Sequence, residues 1–440
     1  MNQLSYSLTV VGLLIVPCRA MAQPEPAVEW VRQHAMAVRT IDPADQAFAD
    51  LADLRNTLRG VRLVLLGEAS HGDGATFLAK TRLVEFLQRE MGFDVLVFES
   101  GFYDCSNATP SSADADMRST FQRCVWPMWS ARQELDPLID YLAQARARGA
   151  PLAILGLDPD FVREPSRDHL ARDLRAALQA ARVRPDAATA EFLNVVDSLY
   201  AYLNPTQPRP TAEAVARFIS TAESLAEVMD TVSALAPAER GYWARVCESL
   251  ASHARMRLRP AGQPLSRESV EMRDRQMARN LVWLVRQRFP ARRVIVWSAT
   301  LHAARNLAAL TVLRDQPTPW GISLQEMYRT KRVMGDYLRQ EFGDSMYAIG
   351  FTALEGTTAG GQSGYPIQPP TDGSLEELLG RTGLQYAFLD LRQPMAGGTS
   401  ARELIARPFG YAEMRGDWRG VLDGVFFIRT MTPSTPAAPR

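Results

Sequence analysis

Two side chains capable of acid–base chemistry stand three residues apart in the segment LLGEASHG. His71 titrates near neutral pH and can take a proton from water if a carboxylate orients it and stabilises its cation. Glu68 is such a carboxylate, and the flanking glycines, Gly67 and Gly72, indicate a turn. The segment therefore predicts a histidine base at the end of a strand.

Three more polar groups follow apolar runs of the sequence. Glu99 comes after DVLVF, Asp158 after LAILGL and His302 after RVIVWSATL. Taken singly, such a carboxylate is more often a helix cap or loop residue, and a lone histidine is more often structural. Parallel strands, however, end at one edge of a sheet, where open α/β sheets bind their ligands. We therefore expect Glu68, His71 and these three groups to share one cleft.

Lys80, Asp158 and Ser70 are candidates for supporting or substrate-binding roles. Lys80 lies on the helix after the motif and could stabilise an oxyanion if the helix phase allows, but the residues alone favour a solvated lysine. Ser70 lacks the glycine two positions earlier that a nucleophile elbow requires. Ser70 is therefore not predicted to be a nucleophile.

Four short apolar runs, rich in β-branched residues, punctuate the chain at 62–66, 94–98, 152–155 and 293–297. Helical patterns separate the first run from the second and the second from the third. This alternation predicts an α/β fold with a mainly parallel sheet flanked by helices.

The domain organisation follows from a long helical stretch between the third and fourth runs. It covers about residues 165–289, too much helix for one crossover, and predicts a subdomain beside the cleft. Residues 23–164, with the motif, and 290–430 are expected to form the two parts of the α/β core. Residues 431–440 are proline-rich and predict a disordered tail.

The composition limits the partners of the protein. Its 440 residues are 46% hydrophobic and 22% charged, typical of a soluble globular protein. Lys plus Arg and Asp plus Glu number 49 each, so the formal net charge is zero. Without a basic stripe, nucleic-acid binding is not expected. The sequence does not indicate an oligomeric state.

The first 22 residues predict a signal peptide. The apolar run 8–16 is too short to span a bilayer, and Ala20-Met21-Ala22 has the small-x-small pattern of a cleavage site. We therefore expect a periplasmic or secreted protein, cleaved near Ala22, with no stable membrane insertion afterwards. A disordered or loosely packed N-terminus is the alternative.

Three cysteines would remain after cleavage. Cys105 and Cys124 flank a polar, serine-rich loop, so they either form a disulfide or remain two free thiols. A bridge of this size would contribute about 3 kcal/mol on a loop-entropy model. Cys247 lies in a helical pattern and is expected to be buried and inert.

The GEASHG segment resembles the Gly-Glu-Ala-x-His-Gly motif of the erythromycin esterase family. As in that family, a helix follows the motif, and a strand then ends in glutamate, here Glu99. Similar stretches continue in order, so the resemblance covers about residues 61–428. It implies hydrolysis of an ester or lactone by an activated water, without a metal or other cofactor. It also implies that His71 is the general base, supported by Glu68 and Glu99.

The chain departs from the family pattern at two positions. The basic residue on the helix after the motif is usually arginine, whereas here it is Lys80, which keeps the charge but loses the planar guanidinium. The fourth strand usually leads to His-Asn-x-His, whereas this chain has Ala299-Thr300-Leu301-His302. The resemblance therefore implies the reaction class more than a particular substrate such as a macrolide.

The leading hypothesis is an exported hydrolase of a small-molecule ester or lactone, with His302 as a further catalytic residue. A metal-dependent hydrolase using the same residues is an alternative, because Glu, Asp and His are all metal ligands. The sequence has no HExxH pattern or similar compact metal site. A non-catalytic binding or polysaccharide-associated protein that keeps the cleft is the third hypothesis.

Overall fold

The computed structural model describes residues 26–108, 116–204, 206–259, 266–318, 322–359, 364–393 and 404–437. The predicted signal peptide, 1–22, lies outside them. In the described ranges the strands are β1 (Ala35–Val38), β2 (Leu63–Leu66), β3 (Phe93–Gly101), β4 (Ala153–Asp158), β5 (Arg293–Trp297), β6 (Thr311–Val312), β7 (Met346–Thr358), β8 (Tyr365–Pro366), β9 (Tyr386–Asp390), β10 (Leu404–Ala406), β11 (Met414–Gly416) and β12 (Gly424–Met431).

The helices of these ranges alternate with the strands and cluster between β4 and β5. They are α1 (Pro26–His34), α2 (Ala52–Thr57), α3 (Gly74–Met91), α4 (Phe102–Ser106), α5 (Met117–Cys124), α6 (Pro127–Ser130), α7 (Asp136–Ala147), α8 (Glu164–Ala180), α9 (Ala187–Ser198), α10 (Ala212–Thr231), α11 (Pro237–Arg257), α12 (Arg267–Trp283), α13 (Thr300–Ala303), α14 (Leu324–Thr330), α15 (Met334–Phe342) and α16 (Leu375–Arg381).

The main sheet has the strand order β1-β9-β12-β7-β2-β5-β3-β4, with β8 paired to β7. The six strands from β12 to β4 are parallel to one another, and β9 is antiparallel to both β1 and β12. The predicted α/β fold with a mainly parallel sheet is thereby confirmed. A separate three-stranded sheet, β10-β11-β6, was not predicted from the sequence.

Strand register places the predicted site residues at one edge of the sheet. Leu66 of β2 pairs with Trp297 of β5, which in turn pairs with Phe98 of β3. The three strands therefore end at nearly the same level. Glu68 and Glu99 emerge together there, beside the segment that leads to His302.

Helices cover both faces of the sheet. On one face, α3 and α7 pack against side chains such as Leu66 and Phe98. On the other face, the predicted helical stretch forms α8 to α12 and packs against side chains such as Leu65 and Val97. The central strands are therefore buried on both sides, which explains their continuous apolar runs. The helix α12 lies against the site, as its contacts below show.

The predicted disordered tail is instead ordered as far as residue 437. β12 extends to Met431, and Thr432 O then accepts a hydrogen bond from Gly74 N at 2.9 Å. Ser434 N donates to Gly72 O at 2.8 Å. Backbone hydrogen bonds order this segment, which is why its proline-rich, weakly apolar composition was misleading.

The cysteines divide into a bridge and a buried thiol. Cys105 of α4 and Cys124 at the end of α5 form a disulfide. Cys247 of α11 is free and buried, and burial raises the pKa of its thiol to about 12. None of the helices in the ranges described above is long and apolar enough to cross a bilayer.

Candidate active site

The turn after β2 passes very close to the neighbouring strand ends. A Cβ atom on Gly67 would lie 2.4 Å from Thr300 Oγ1 and 3.0 Å from the carbonyl oxygen of Ile349. Thr300 N also donates to the carbonyl oxygen of Glu68 at 2.9 Å. Only glycine leaves room for this approach, which holds Glu68 against the edge of the sheet.

Glu68 is a fully buried carboxylate that accepts hydrogen bonds from three side chains. Its Oε1 atom lies 2.7 Å from His71 Nδ1 and 2.8 Å from Trp129 Nε1, and its Oε2 atom lies 2.7 Å from Lys80 Nζ. Burial alone would raise the pKa of Glu68, but the charge of Lys80 and the contacts with His71 outweigh it, so the pKa is lowered. Glu68 is therefore an anion at neutral pH.

The hydrogen bond to Glu68 fixes the orientation of the His71 imidazole. Because the Glu68 carboxylate can only accept, Nδ1 of His71 carries a proton, which leaves Nε2 free to take one. The side chain is 42% exposed and meets the Trp129 ring edge-on at 5.2 Å. Burial lowers the pKa of His71, but the hydrogen bond and the charge of Glu68 raise it by more than burial lowers it. The pKa of His71 therefore lies above its ordinary value.

Lys80 is buried, whereas the sequence favoured a solvated lysine. Its Nζ atom pairs with Glu68, lies 3.5 Å from the Ser298 carbonyl oxygen and stands 4.1 Å above the Trp297 ring. Burial lowers the pKa of Lys80 to about 8, against the opposing charge of Glu68. Since its side chain is wholly inaccessible, Lys80 cannot reach a substrate oxyanion. It holds Glu68 in place instead.

Glu99 organises a second charged cluster. Its Oε1 atom accepts from Arg273 Nη2 at 2.9 Å, and its Oε2 atom accepts from Ala299 N at 2.9 Å. Arg273 also pairs with Asp158, the carboxylate at the end of β4. Burial would raise the pKa of Glu99, but His302 and Arg273 hold it well below its usual value. For Asp158 burial prevails over Arg273, and its pKa rises to about 6.

His302 lies between two carboxylates. Its Nδ1 atom is 2.5 Å from Asp274 Oδ1, and its Nε2 atom is 3.2 Å from Glu99 Oε1. Burial lowers the pKa of His302, but the charges of Asp274 and Glu99 raise it to about 9. The ring is therefore an imidazolium at neutral pH that donates from both nitrogens, beside Arg273 Nη1 at 3.3 Å. Lys331 Nζ completes the cluster, 2.8 Å from Asp274 Oδ2.

The structure thus brings together all five residues predicted to converge. Glu68 and His71 form one contact group, while Glu99, Asp158 and His302 form the other. The negative charge of Glu99 acts on both imidazoles and raises the pKa of each. The predicted supporting residue Ser70 lies in the same turn, where its Oγ accepts from Gly72 N at 3.2 Å.

Four further members of the site were not singled out from the sequence: Trp129, Arg273, Asp274 and Lys331. Trp129 follows no strand, and the other three lie on α12 or in the loop after α14. The direction of their side chains depends on how these elements pack, which no local pattern reveals. Only their occurrence within stretches similar to the family could have marked Trp129, Arg273 and Asp274.

The donor set does not form a metal cage. In the parts of the chain that the structure describes, no group of three or more His, Cys, Asp or Glu side chains is arranged to hold a metal ion. The carboxylates are already paired with protein cations: Glu68 with Lys80, and Glu99 with Arg273. A divalent ion would have to displace these cations.

Comparison with known proteins identifies the family. The erythromycin esterase family profile matches residues 89–422, which is more than half of the chain. The chain belongs to the erythromycin esterase family. The profile match begins after the GEASHG motif. Individual relatives of this erythromycin esterase family member, however, align with nearly the whole of its chain. "Putative hydrolase YbfO" of Bacillus subtilis (strain 168) is 25% identical over 94% of this chain and 93% of its own.

A second relative is similar over nearly the whole chain, and two solved structures share its fold. Erythromycin esterase type II of Escherichia coli is 22% identical, over 92% of this chain and 98% of its own. A Bacillus cereus protein shares the fold with a TM-score of 0.71 and 19% identity, covering 94% of this chain and 98% of its own. A mutant of the erythromycin esterase EreC, in its open conformation, has a TM-score of 0.64 and 16% identity, covering 92% and 100%.

Proposed function

We propose that this protein hydrolyses a small-molecule ester or lactone with a water molecule activated by His71. The observation that carries the proposal is the half-exposed His71 ring, whose Nδ1 donates to the buried Glu68 anion. This arrangement leaves Nε2 of the partly exposed ring free to act as a base. The carboxylate both fixes the tautomer and stabilises the imidazolium that forms.

The reaction balances with His71 as the only proton carrier. Nε2 takes a proton from water while the water oxygen attacks the carbonyl carbon, which gives a tetrahedral oxyanion. The imidazolium then returns the proton to the leaving alcohol oxygen as the C–O bond breaks. The products are an acid and an alcohol, or a hydroxy acid from a lactone.

Arg273 is the proposed oxyanion stabiliser in place of Lys80. Its side chain is 17% exposed, and it lies in the charged cluster with His302 and Glu99. Preorganised positive charge at a site largely shielded from water lowers the energy of a developing oxyanion without reorganisation. Glu99 and Asp158 would hold the guanidinium in position.

The relatives support the hydrolytic class, since their printed names include an erythromycin esterase and a hydrolase. The pairing of the carboxylates with Lys80 and Arg273 favours the direct mechanism over a metal-bound water. We further propose export to the periplasm or beyond. The Cys105–Cys124 disulfide supports export, because such bridges persist in oxidising compartments.

The test is ester cleavage by purified wild type, His71→Ala and the matched control His34→Ala. p-Nitrophenyl acyl esters and a macrolide lactone serve as substrates, and circular dichroism checks the fold. His34 bonds to the carbonyl oxygen of Trp30 within α1 and contributes no group to the site. We expect His71→Ala to lose at least roughly 10²–10⁴-fold in kcat while His34→Ala keeps wild-type turnover. Full turnover by folded His71→Ala would remove His71 as the base.

A further inference from the structure

A buried carboxylate that the reaction above does not use lies two residues beyond His71. Asp73 Oδ2 accepts hydrogen bonds from Ser70 N at 3.0 Å and from the Tyr411 hydroxyl at 2.8 Å. Its Oδ1 atom is buried. Burial, with Glu68 nearby, raises the pKa of Asp73 to about 7, against the pKa-lowering hydrogen bonding of Thr358, Tyr411 and the Ser70 amide.

The direction in which Asp73 points is unusual for its position. An aspartate directly before a helix normally accepts from the first backbone N–H groups of that helix. Asp73 occupies this position before α3, yet its side chain caps no helical N–H. It points back into the turn and binds the amide of Ser70, the residue before His71. Its contacts therefore serve the turn and not the helix.

Tyr411 holds the turn from the opposite side. Its φ angle is +61°, in the left-handed region that residues other than glycine rarely adopt. The neighbouring Gly410 N donates to the Ala69 carbonyl oxygen at 2.9 Å. The segment 410–411 thus contacts the turn through its backbone and through the Tyr411 hydroxyl. A left-handed backbone conformation at a residue other than glycine costs free energy. It persists where the surrounding structure fixes it, often at functional sites.

We propose that Asp73 is a positioning residue of the active site, fixing the backbone before His71 so that the imidazole keeps its contact with Glu68. Tyr411 holds the Asp73 carboxylate in place. The inference rests on the proposed role of His71 as the base.

The need for such a device follows from how His71 is attached. It lies in a turn, outside any helix or strand, and its half-exposed ring is held by one hydrogen bond to Glu68 and one edge contact with Trp129. A displacement of about 1 Å at a reacting group can cost about 10²-fold in rate. The backbone around His71 is fixed by hydrogen bonds to the Ala69 and Gly72 carbonyl oxygens, and Asp73 is the buried side chain that holds the Ser70 amide.

The experiment compares Asp73→Ala and Asp73→Asn with Asp50→Ala as a matched control. Asp50 also accepts a backbone N–H, from Arg39 at 2.9 Å, and pairs with buried Arg82, but it contributes no group to the site. We expect Asp73→Ala to lower kcat about 10- to 100-fold with little change in KM. Asp73→Asn should keep most of the activity, because its amide oxygen can still accept from Ser70 N.

The control and a second readout separate positioning from simple loss of stability. Asp50→Ala should lower Tm but leave kcat unchanged. Long-range ¹H–¹⁵N NMR of labelled histidine reports the tautomer without any substrate: we expect a fixed Nδ1–H form for His71 in wild type and Asp73→Asn, and an averaged signal in Asp73→Ala.

Two outcomes would overturn the inference: an unchanged His71 tautomer and kcat in folded Asp73→Ala, or an Asp73→Asn variant as impaired as Asp73→Ala. If wild type cleaves no ester, the proposed function fails, and the NMR comparison alone decides the positioning role.

Discussion

At the scale of single residues, the Glu68 carboxylate contacts both His71, whose charge changes in the proposed reaction, and Lys80, whose charge does not. His71 gains and loses a proton in each proposed turnover, while Lys80 stays a cation that stabilises the carboxylate. The base and its support therefore have separate contacts on the same carboxylate, one at each oxygen. This division leads to two predictions.

The first prediction concerns pH. Glu68 raises the pKa of His71 above 6.5, and only the neutral ring can act as a base. As pH falls through this raised pKa, His71 becomes protonated, so kcat/KM should decline on the acid side with a midpoint above 6.5. In Glu68→Gln the residual activity should show a lower midpoint. A profile that stays flat to well below pH 6.5 would contradict the role of His71.

The second prediction concerns the buried pair of Glu68 and Lys80. Glu68→Gln leaves the Lys80 ammonium buried without its counter-charge, which should cost about 3–5 kcal/mol in the free energy of unfolding. The double variant Glu68→Gln/Lys80→Met should recover much of that loss but no activity. Urea denaturation of the single and double variants measures this coupling. Additive losses would mean that the two side chains do not interact.

At the scale of elements, the segment from α5 to α6 forms one wall of the site. Trp129 reaches Glu68 through its indole nitrogen, and Trp126 N donates to the Ser100 hydroxyl at 3.1 Å. The disulfide ties this segment, through Cys124, to Cys105 of α4, which directly follows β3. The wall is therefore cross-linked to the strand that carries Glu99.

The third prediction is that this cross-link supports activity as well as stability. Replacing Cys105 and Cys124 together by alanine should lower the free energy of unfolding by about 3 kcal/mol, because the loop is no longer closed. It should also lower kcat, since Trp129 is held less firmly against Glu68. A reducing agent should reproduce both effects in wild type and add nothing in the double variant. Unchanged kcat after verified reduction would contradict the link to the site.

The fourth prediction concerns the contact between the motif and the C-terminal segment. A Cβ atom on Gly74 would lie 2.7 Å from the Pro433 carbonyl oxygen. Although alanine favours helices over glycine, Gly74→Ala should therefore lower both Tm and kcat by forcing the segment away. In a chain ending at Met431, Gly74→Ala should lower neither Tm nor kcat any further, because the Pro433 carbonyl oxygen is absent. Equal losses in both backgrounds would rule out the clash as the cause.

At the scale of the whole molecule, the charged cluster makes stability depend on pH. The folded pKa of His302 is about 9, above the ordinary value of about 6.5 for an unfolded chain. Its contribution is therefore fully present below about pH 6.5 and is lost as pH rises through 9, at roughly 1 kcal/mol per pH unit.

The fifth prediction follows from this linkage. The difference in free energy of unfolding between wild type and His302→Asn should shrink from about pH 6 to about pH 9.5. Chemical denaturation at several pH values measures it. A difference that is constant over this window would mean that His302 is not held as a cation.

The sequence predicted the parts of the molecule that short-range patterns determine. Buried parallel strands are continuous apolar runs, so Glu99 and Asp158 could be placed at their ends. Lys80 was misjudged because α3 is buried on nearly all sides and has no solvent face for a lysine. Arg273 and Asp73 could not be assigned, since their directions depend on contacts between distant segments.

The hydrogen bond between Tyr411 and Asp73 joins residues 338 positions apart. A chain that emerges from a ribosome or a translocation pore exposes GEASHG long before the segments that hold it. Closing so long a loop is entropically costly until most of the sheet has formed. The catalytic pair should thus mature late, and a truncated or half-folded chain would carry the motif without the geometry. Under the export proposed above, the protein would then stay inert during its passage.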